Sequence, residues 1–261
     1  MEIKFTVVFF TLLIYDVTAD VCEQHICQCN AFDAYVDCSG RQLTDIPSGI
    51  PINTTHLDLS VNNLTTVSST ALKDLLNLTT INLSWNKFEN DGIEPGALDL
   101  PMLTTVDLAQ NDIETFPSKI FSKTLTSLNY SHNNMGAMEA GDFAETPSLV
   151  FLDISDNGLE AIPSEPSSFS SLKNINELWI ADNNLRTLDP MVLGNQFMPH
   201  LSIIYVGGNP WYCDCHLKWL KQMSELPSGV IQEIHSIRCS GPDPLKDKRF
   251  DKLRAEDFVC K

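Results

Sequence analysis

Apolar residues recur along this chain in a single spaced pattern, L-x-x-L-x-L-x-x-N-x-L, and the pattern returns seven times. One rung is Leu57, Leu59, Asn62 and Leu64. The next is Leu78, Ile81, Leu83, Asn86 and Phe88, followed by Leu103, Val106, Leu108, Asn111 and Ile113. Leu125, Leu128, Tyr130, Asn133 and Met135 continue it, then Leu149, Leu152, Ile154, Asn157 and Leu159. Ile175, Leu178, Ile180, Asn183 and Leu185 precede a last rung of Leu201, Ile204, Val206, Asn209 and Trp211. Successive rungs are offset by 24, 25, 22, 24, 26 and 26 residues, and every rung carries its asparagine.

Each residue type has a physical task in such a ladder. Alternation of apolar and polar residues over x-L-x-L predicts a short strand with one face inward and the other in solvent. The asparagine falls where the chain must turn away from the strand. There its amide can satisfy backbone groups of its own and the adjacent coil that would otherwise be buried unpaired. A further apolar residue in the second half of each coil (Leu72, Leu98, Phe121, Phe143, Phe169, Leu193) fills the convex side. Stacked coils then form a parallel sheet, and the stack curves because strands pack more closely than the convex segments. The motif and its period resemble those of leucine-rich repeats. The expected fold is α/β, a curved solenoid with a concave parallel β-sheet and disulfide-bonded caps.

Such a stack exposes an apolar coil at each end and needs caps. All eight cysteines lie at the ends: Cys22, Cys27, Cys29 and Cys38 near the start, Cys213, Cys215, Cys239 and Cys260 near the finish. In an exported chain such even-numbered clusters imply disulfides, although spacing alone leaves several connectivities open. The run Val36-Asp37-Cys38-Ser39-Gly40, with Ile46-Pro47, resembles the N-terminal cap of extracellular leucine-rich-repeat proteins, and the stretch from Val36 to Pro51 is similar to variable lymphocyte receptors of jawless vertebrates. Asn209-Pro210-Trp211-Tyr212-Cys213-Asp214-Cys215-His216-Leu217-Lys218-Trp219-Leu220 resembles the C-terminal cap, in a form closer to Slit-type guidance proteins. The resemblance implies Cys22–Cys29, Cys27–Cys38, Cys213–Cys239 and Cys215–Cys260. It divides the chain into an N-terminal cap at 20–52, repeats at 53–208 and a C-terminal cap at 209–261.

Residues 1–19 read as a signal peptide, with Lys4 ahead of an apolar run from Phe5 to Tyr15 and small residues at Val17-Thr18-Ala19. That run is shorter than the roughly 20 residues a membrane span needs. No later stretch is long and apolar enough to span, and no apolar tail follows Cys260, so a secreted, extracellular chain without membrane insertion is expected.

Charge is unevenly shared. Residues 20–209 hold 7 basic side chains against 24 acidic ones, whereas residues 210–261 hold 9 against 8. The acidic body excludes nucleic acid, whose phosphates require a basic surface, and favours cationic partners.

Binding in this type of fold is expected on the outward strand positions. The central outward column reads Asp37, Asp58, Asn82, Asp107, Asn129, Asp153, Trp179, Tyr205. Flanking outward positions add His56, Trp85, His132, Phe151, Asp156, Glu177 and Asp182. With strands about 4.8 Å apart, the column is expected to be a close ladder of like charge that a cationic partner would relieve, with an aromatic C-terminal end suited to contact. The candidate ligand-binding residues are Asp58, Trp85, Asp107, His132, Phe151, Asp153, Asp156, Glu177, Trp179, Asp182 and Tyr205. Five glycosylation sequons begin at Asn53, Asn63, Asn77, Asn82 and Asn129, of which Asn82 and Asn129 fall in the central column.

Other chemistry is set aside. His56, Asp58 and Ser60 alternate along one expected strand, about 6.5–7 Å apart, too far for a catalytic relay. Cys213, Cys215 and His216 are metal-ligand types, but export and the cap motif favour disulfides, so no metal and no cofactor are expected. Lys246, Lys248, Arg249, Lys252 and Arg254 form a basic run of the kind that binds heparin, weakened by Asp247 and Asp251. The function expected is non-enzymatic recognition of a protein, cell-surface or microbial-surface ligand on the acidic concave face, like a variable lymphocyte receptor. The alternative is a Slit-like or matrix-type ligand for a host receptor, growth factor or matrix protein.

Overall fold

A computed structural model of the chain describes residues 21–30, 32, 34–164, 168–193 and 198–260. The signal peptide expected at 1–19 lies outside the described residues.

Eight short strands stack in parallel into one sheet, joined at its N-terminal edge by one antiparallel strand. The antiparallel strand is β1 (Gln28–Asn30), which pairs with β2 (Tyr35–Asp37). The stack continues through β3 (His56–Asp58), β4 (Thr80–Asn82), β5 (Thr105–Asp107) and β6 (Ser127–Asn129). It ends with β7 (Phe151–Asp153), β8 (Glu177–Trp179) and β9 (Ile203–Tyr205). Each of the eight parallel strands is three residues long with its middle residue buried, so Val36, Leu57, Ile81, Val106, Leu128, Leu152, Leu178 and Ile204 form one inward row.

The protein is therefore a β-solenoid of the leucine-rich-repeat type, built of about eight turns. Its convex side is made of turns rather than long helices, tied by isolated parallel bridges such as Val67 to Ile93 and Leu98 to Phe121. The apolar residue in the second half of each coil fills that side. Phe121, Phe143 and Phe169 are buried there, and Phe116 joins them with ring centroids 5.7 Å from Phe121 and 4.5 Å from Phe143. Tyr130 stands where the other rungs hold an aliphatic residue. Its ring is buried and its hydroxyl donates to the Thr115 carbonyl at 3.1 Å, which satisfies the one polar atom it brings inside.

The asparagines stitch the coils together. Asn183 is 4% exposed, and its Nδ2 donates to the carbonyls of Ile154, Ile180 and Ala181, while its Oδ1 accepts from the amides of Asn157 and Leu159. The same bridge to the preceding coil recurs at Asn62, Asn86, Asn111, Asn133, Asn157 and Asn209. A second stitch was not read from the sequence. The hydroxyls of Thr79, Thr104 and Thr126 donate to the carbonyls of Thr55, Thr79 and Thr104, one coil back, at 2.9–3.2 Å.

Disulfides close both ends. Cys22 is bonded to Cys29 and Cys27 to Cys38; at the other end Cys213 is bonded to Cys239 and Cys215 to Cys260. Beside β9, Ile204 exchanges backbone hydrogen bonds with Val230 and Gln232, so the C-terminal module covers the sheet edge. That module holds the one α-helix among the described residues, α1 (Lys218–Ser224), and a short parallel pair, β10 (Trp211–Tyr212) with β11 (Cys239–Gly241). Trp211 is fully buried, with its indole N–H donating to the Val206 carbonyl at 2.9 Å.

Asn183→Asp keeps both acceptor bonds, loses the three donor bonds and buries a charge among carbonyls. It is expected to lower unfolding free energy in urea by about 3 kcal/mol or more, with Asn183→Ala costing a similar amount. Replacing the exposed neighbour Asn184 by Ala is expected to change it by no more than about 0.5 kcal/mol.

Candidate functional site on the concave face

The concave surface resolves into three columns running across the strands. The central one is in strict register: Asp37 pairs with Asp58, Asp58 with Asn82, Asn82 with Asp107, and so on through Asn129, Asp153, Trp179 and Tyr205. Apart from the adjacent pair Asp37 and Asp58, its acidic members do not form the close ladder of like charge expected from the sequence. From Asp58 to Asp153, aspartate and asparagine alternate, so charges stand two strands, or about 10 Å, apart. Each side chain is also occupied locally. Asp58, Asp107 and Asp153 accept from the backbone amides of Ser60, Ala109 and Ser155 at 2.8–2.9 Å, and Asn82 and Asn129 do the same for Ser84 and Ser131. The column thus caps the turn that follows each strand from β2 to β7. The Asn129 amide additionally donates to Asp107 Oδ2 at 3.2 Å.

Burial is the second surprise in this column. Asp153 is only 8% exposed, and desolvation pushes the carboxyls of Asp107 and Asp153 above the usual carboxylate range, partly offset by the hydrogen bonds just named. These two residues sit at the floor of the face.

A second column starts each strand and contains His56, Phe151 and Glu177. The third lies beyond the strand. Trp85, His132, Asp156 and Asp182, expected as outward strand residues, sit instead in the turn immediately before the buried asparagine, with φ between 51° and 54°. The physical reason is the asparagine: to aim its amide at two coils the chain must reverse sharply, and the preceding residue takes the left-handed conformation. Ser60 differs likewise. It is buried in the turn rather than outward on β3, with its backbone amide bonded to Asp58, so it does not share a strand face with His56.

The structure brings together the C-terminal members of these columns. Trp179 and Tyr205 pack with ring centroids 4.2 Å apart and planes tilted by 41°, and Phe151 meets Trp179 edge-on at 6.3 Å. The Trp179 indole donates to Glu177 Oε1 at 2.7 Å, which fixes both side chains. Along the adjacent turns, His132 Nδ1 contacts Asp156 Oδ2, and Asp156 and Asp182 are exposed. Trp85, 58% exposed, stands apart at the N-terminal end.

Elsewhere, Asn53 and Asn77 are exposed, whereas Asn63, Asn82 and Asn129 are half-buried. The basic run of the C-terminal cap is largely neutralised. Arg249 makes two bonds to Asp251, Lys252 also reaches Asp251, and Arg254 reaches Asp257. Cys215, His216 and Cys260 cluster closely, but the two sulfurs are bonded to each other, which removes the thiolates a metal would need. A cavity of about 830 Å³ between the last coil and the cap, lined by Arg186, Leu188, Pro190, Tyr212 and Trp219, went unforeseen because its walls come from segments with no shared sequence pattern.

A scan of family profiles matches leucine-rich repeats at residues 101–159 and again at 75–95. Trophoblast glycoprotein of Macaca fascicularis is 27% identical, over 90% of this chain and 67% of that protein. Keratocan of Bos taurus is 31% identical over 69% of this chain and 51% of its own length, so this chain spans about half of that relative. The solved structure of human 5T4 (Wnt-activated inhibitory factor 1, trophoblast glycoprotein) superposes with a TM-score of 0.67 at 25% identity, covering 90% of this chain and 98% of that one. The chain carries leucine-rich repeats with disulfide-capped ends, and its scaffold is one of recognition, not of catalysis.

The floor position of Asp153 has a measurable consequence. A carboxyl raised on folding opposes folding while it is charged, so Asp153→Asn, which keeps the capping oxygen, is expected to raise Tm at pH 7. The gain should shrink as pH falls through the raised pKa toward about 3.9, below which wild-type Asp153 is neutral in both states. Thermal melts at pH 7 and pH 3.5 check this.

Proposed function

We propose that this chain is a secreted recognition protein, exported by residues 1–19, that holds a basic segment of an extracellular host protein on the C-terminal half of its concave face. The observation that carries this reading is the cluster of Phe151, Trp179 and Tyr205 with Glu177 bonded beside it, in coils whose following turns expose Asp156 and Asp182. Stacked aromatics offer large contact area at low entropic cost, and an aromatic face beside carboxylates suits a lysine or arginine side chain. Asp58, Asp107 and Asp153 support this site through the field they add rather than by direct contact, since turn capping occupies them.

Trophoblast glycoprotein is named for a host tissue, which favours a host partner over the microbial surface suggested by variable lymphocyte receptors. The acidic body, 24 acidic against 7 basic residues over 20–209, would suit a cationic microbial envelope equally well, so that remains the second reading. Heparin at the C-terminal cap is the weakest part, because Asp251 and Asp257 already engage three of the five cations.

The test is binding of the labelled chain to mammalian cells and to bacteria, at low and high salt, beside Trp179→Ala/Tyr205→Ala. Saturable binding to mammalian cells is expected, falling with salt and weakened roughly 30-fold in the variant, the equivalent of about 2 kcal/mol. Binding to bacteria alone would move the partner to microbial surfaces. Binding indifferent to the double substitution would remove this face from the account.

A further inference from the structure

We infer that Asn53 and Asn77 carry N-linked glycans that cover an apolar strip on the N-terminal edge of the solenoid, and that Asn129 stays bare. The inference rests on export of the chain but is independent of where a partner docks.

Asn53 and Asn77 occupy equivalent places in successive coils, each four residues ahead of the inward residue of its strand, Leu57 and Ile81. Both are exposed, and each follows a large apolar side chain left in solvent: Ile52 is 72% exposed and Leu76 56%. The Asn77 amide reaches the Ile52 carbonyl at 3.4 Å, so the two sites are neighbours on one edge. Two such side chains side by side on an outer edge are a liability for a chain that must stay dispersed. A glycan rooted beside each one would cover it.

The threonines of these sequons have another use, which has to be separated from the argument. Thr79 donates to the preceding coil, but Thr104 and Thr126 make the same bond with Met102 and Thr124 two residues ahead of them. The fold therefore accounts for the threonines; of the asparagines it gives Asn77 one long bond, at 3.4 Å, and Asn53 none among the described residues. Asn174 holds the corresponding place in a later coil and donates to the Pro147 carbonyl at 3.1 Å, a shorter counterpart of the Asn77 bond, and there the asparagine stands without a sequon. Asn53 has no such bond among the described residues.

Asn129 is built differently. Its Nδ2 donates to Asp107, and its Oδ1 accepts both the amide and the hydroxyl of Ser131, at 3.1 and 2.7 Å. Ser131 is buried. A sugar here would stand in the hollow of the sheet and displace the bond to Asp107.

The transfer needs a lipid-linked oligosaccharide diphosphate as donor. The asparagine amide nitrogen bonds to the anomeric carbon, the bond from that carbon to the diphosphate oxygen breaks, and one amide proton is lost as the lipid diphosphate leaves.

The full chain would be expressed in mammalian secretory cells, its glycans removed enzymatically in heavy-oxygen water, and its peptides mapped by mass spectrometry. Label at Asn53 and Asn77 and none at Asn129 is expected in the secreted protein. A secreted chain unlabelled at either of the first two, or labelled at Asn129, overturns the inference, and a chain kept in the cytosol overturns export along with it. Asn53→Gln/Asn77→Gln is expected to lower secreted yield severalfold, with Ile52→Ser/Leu76→Ser restoring it. Failure of that restoration would show that the glycans do not act by covering the strip.

Discussion

The whole architecture hangs on how a three-residue strand can be followed by a tight turn inside a dry core. A coil of 22 to 26 residues reverses direction without a helix or a long ladder to absorb its peptide groups, so amides and carbonyls at the turn would be left buried and unpaired. One asparagine per coil resolves this, because its amide is both a donor and an acceptor and reaches two coils at once. Neither aspartate nor leucine can do both, which is why the residue recurs without exception from Asn62 to Asn209. The left-handed residue ahead of it, the capping side chain at the strand end and the threonine stitch follow from the same tight geometry.

That constraint also decides what the concave face can offer. Side chains of the central column cap the turn, so aspartate or asparagine serves there equally well, and from Asp58 onward the alternation between them keeps charges two strands apart. Only where the column changes to Trp179 and Tyr205 is it released from capping, and there the half-buried rings pack against each other with Glu177 pinned beside them. The surface we propose for a partner thus begins where the structural role of the column ends. The N-terminal half has its own chemistry, an apolar edge at Ile52 and Leu76 beside two exposed sequon asparagines.

Much of the solenoid was legible in the sequence, for a physical reason: a repeat restates one local solution, so its signal adds across coils. The inward rows, the buried asparagines and the convex aromatics could be placed residue by residue. Column register was legible too, because strand positions are fixed by the same spacing. What the sequence could not convey was the second role of Asp58, Asp107 and Asp153. Nothing in an aspartate distinguishes a solvated charge from a turn cap, and the distinction lies in the backbone amide two residues on. The position of Trp85, His132, Asp156 and Asp182 in the turn depends on backbone angles, to which a count of alternating residues is blind. The cavity at the C-terminal cap joins residues far apart in the chain and leaves no periodic trace.

The division of the concave face into a capped N-terminal part and a free aromatic C-terminal part is best tested by hydroxyl-radical footprinting of the chain bound at a mammalian cell surface. Trp85 and Trp179 both oxidise readily and lie at opposite ends of the face, so each reports on its own half. The account predicts that binding protects Trp179 and Tyr205 and leaves the oxidation of Trp85 unchanged. Protection of Trp85 with Trp179 still fully reactive would contradict it and place the partner on the opposite half of the solenoid.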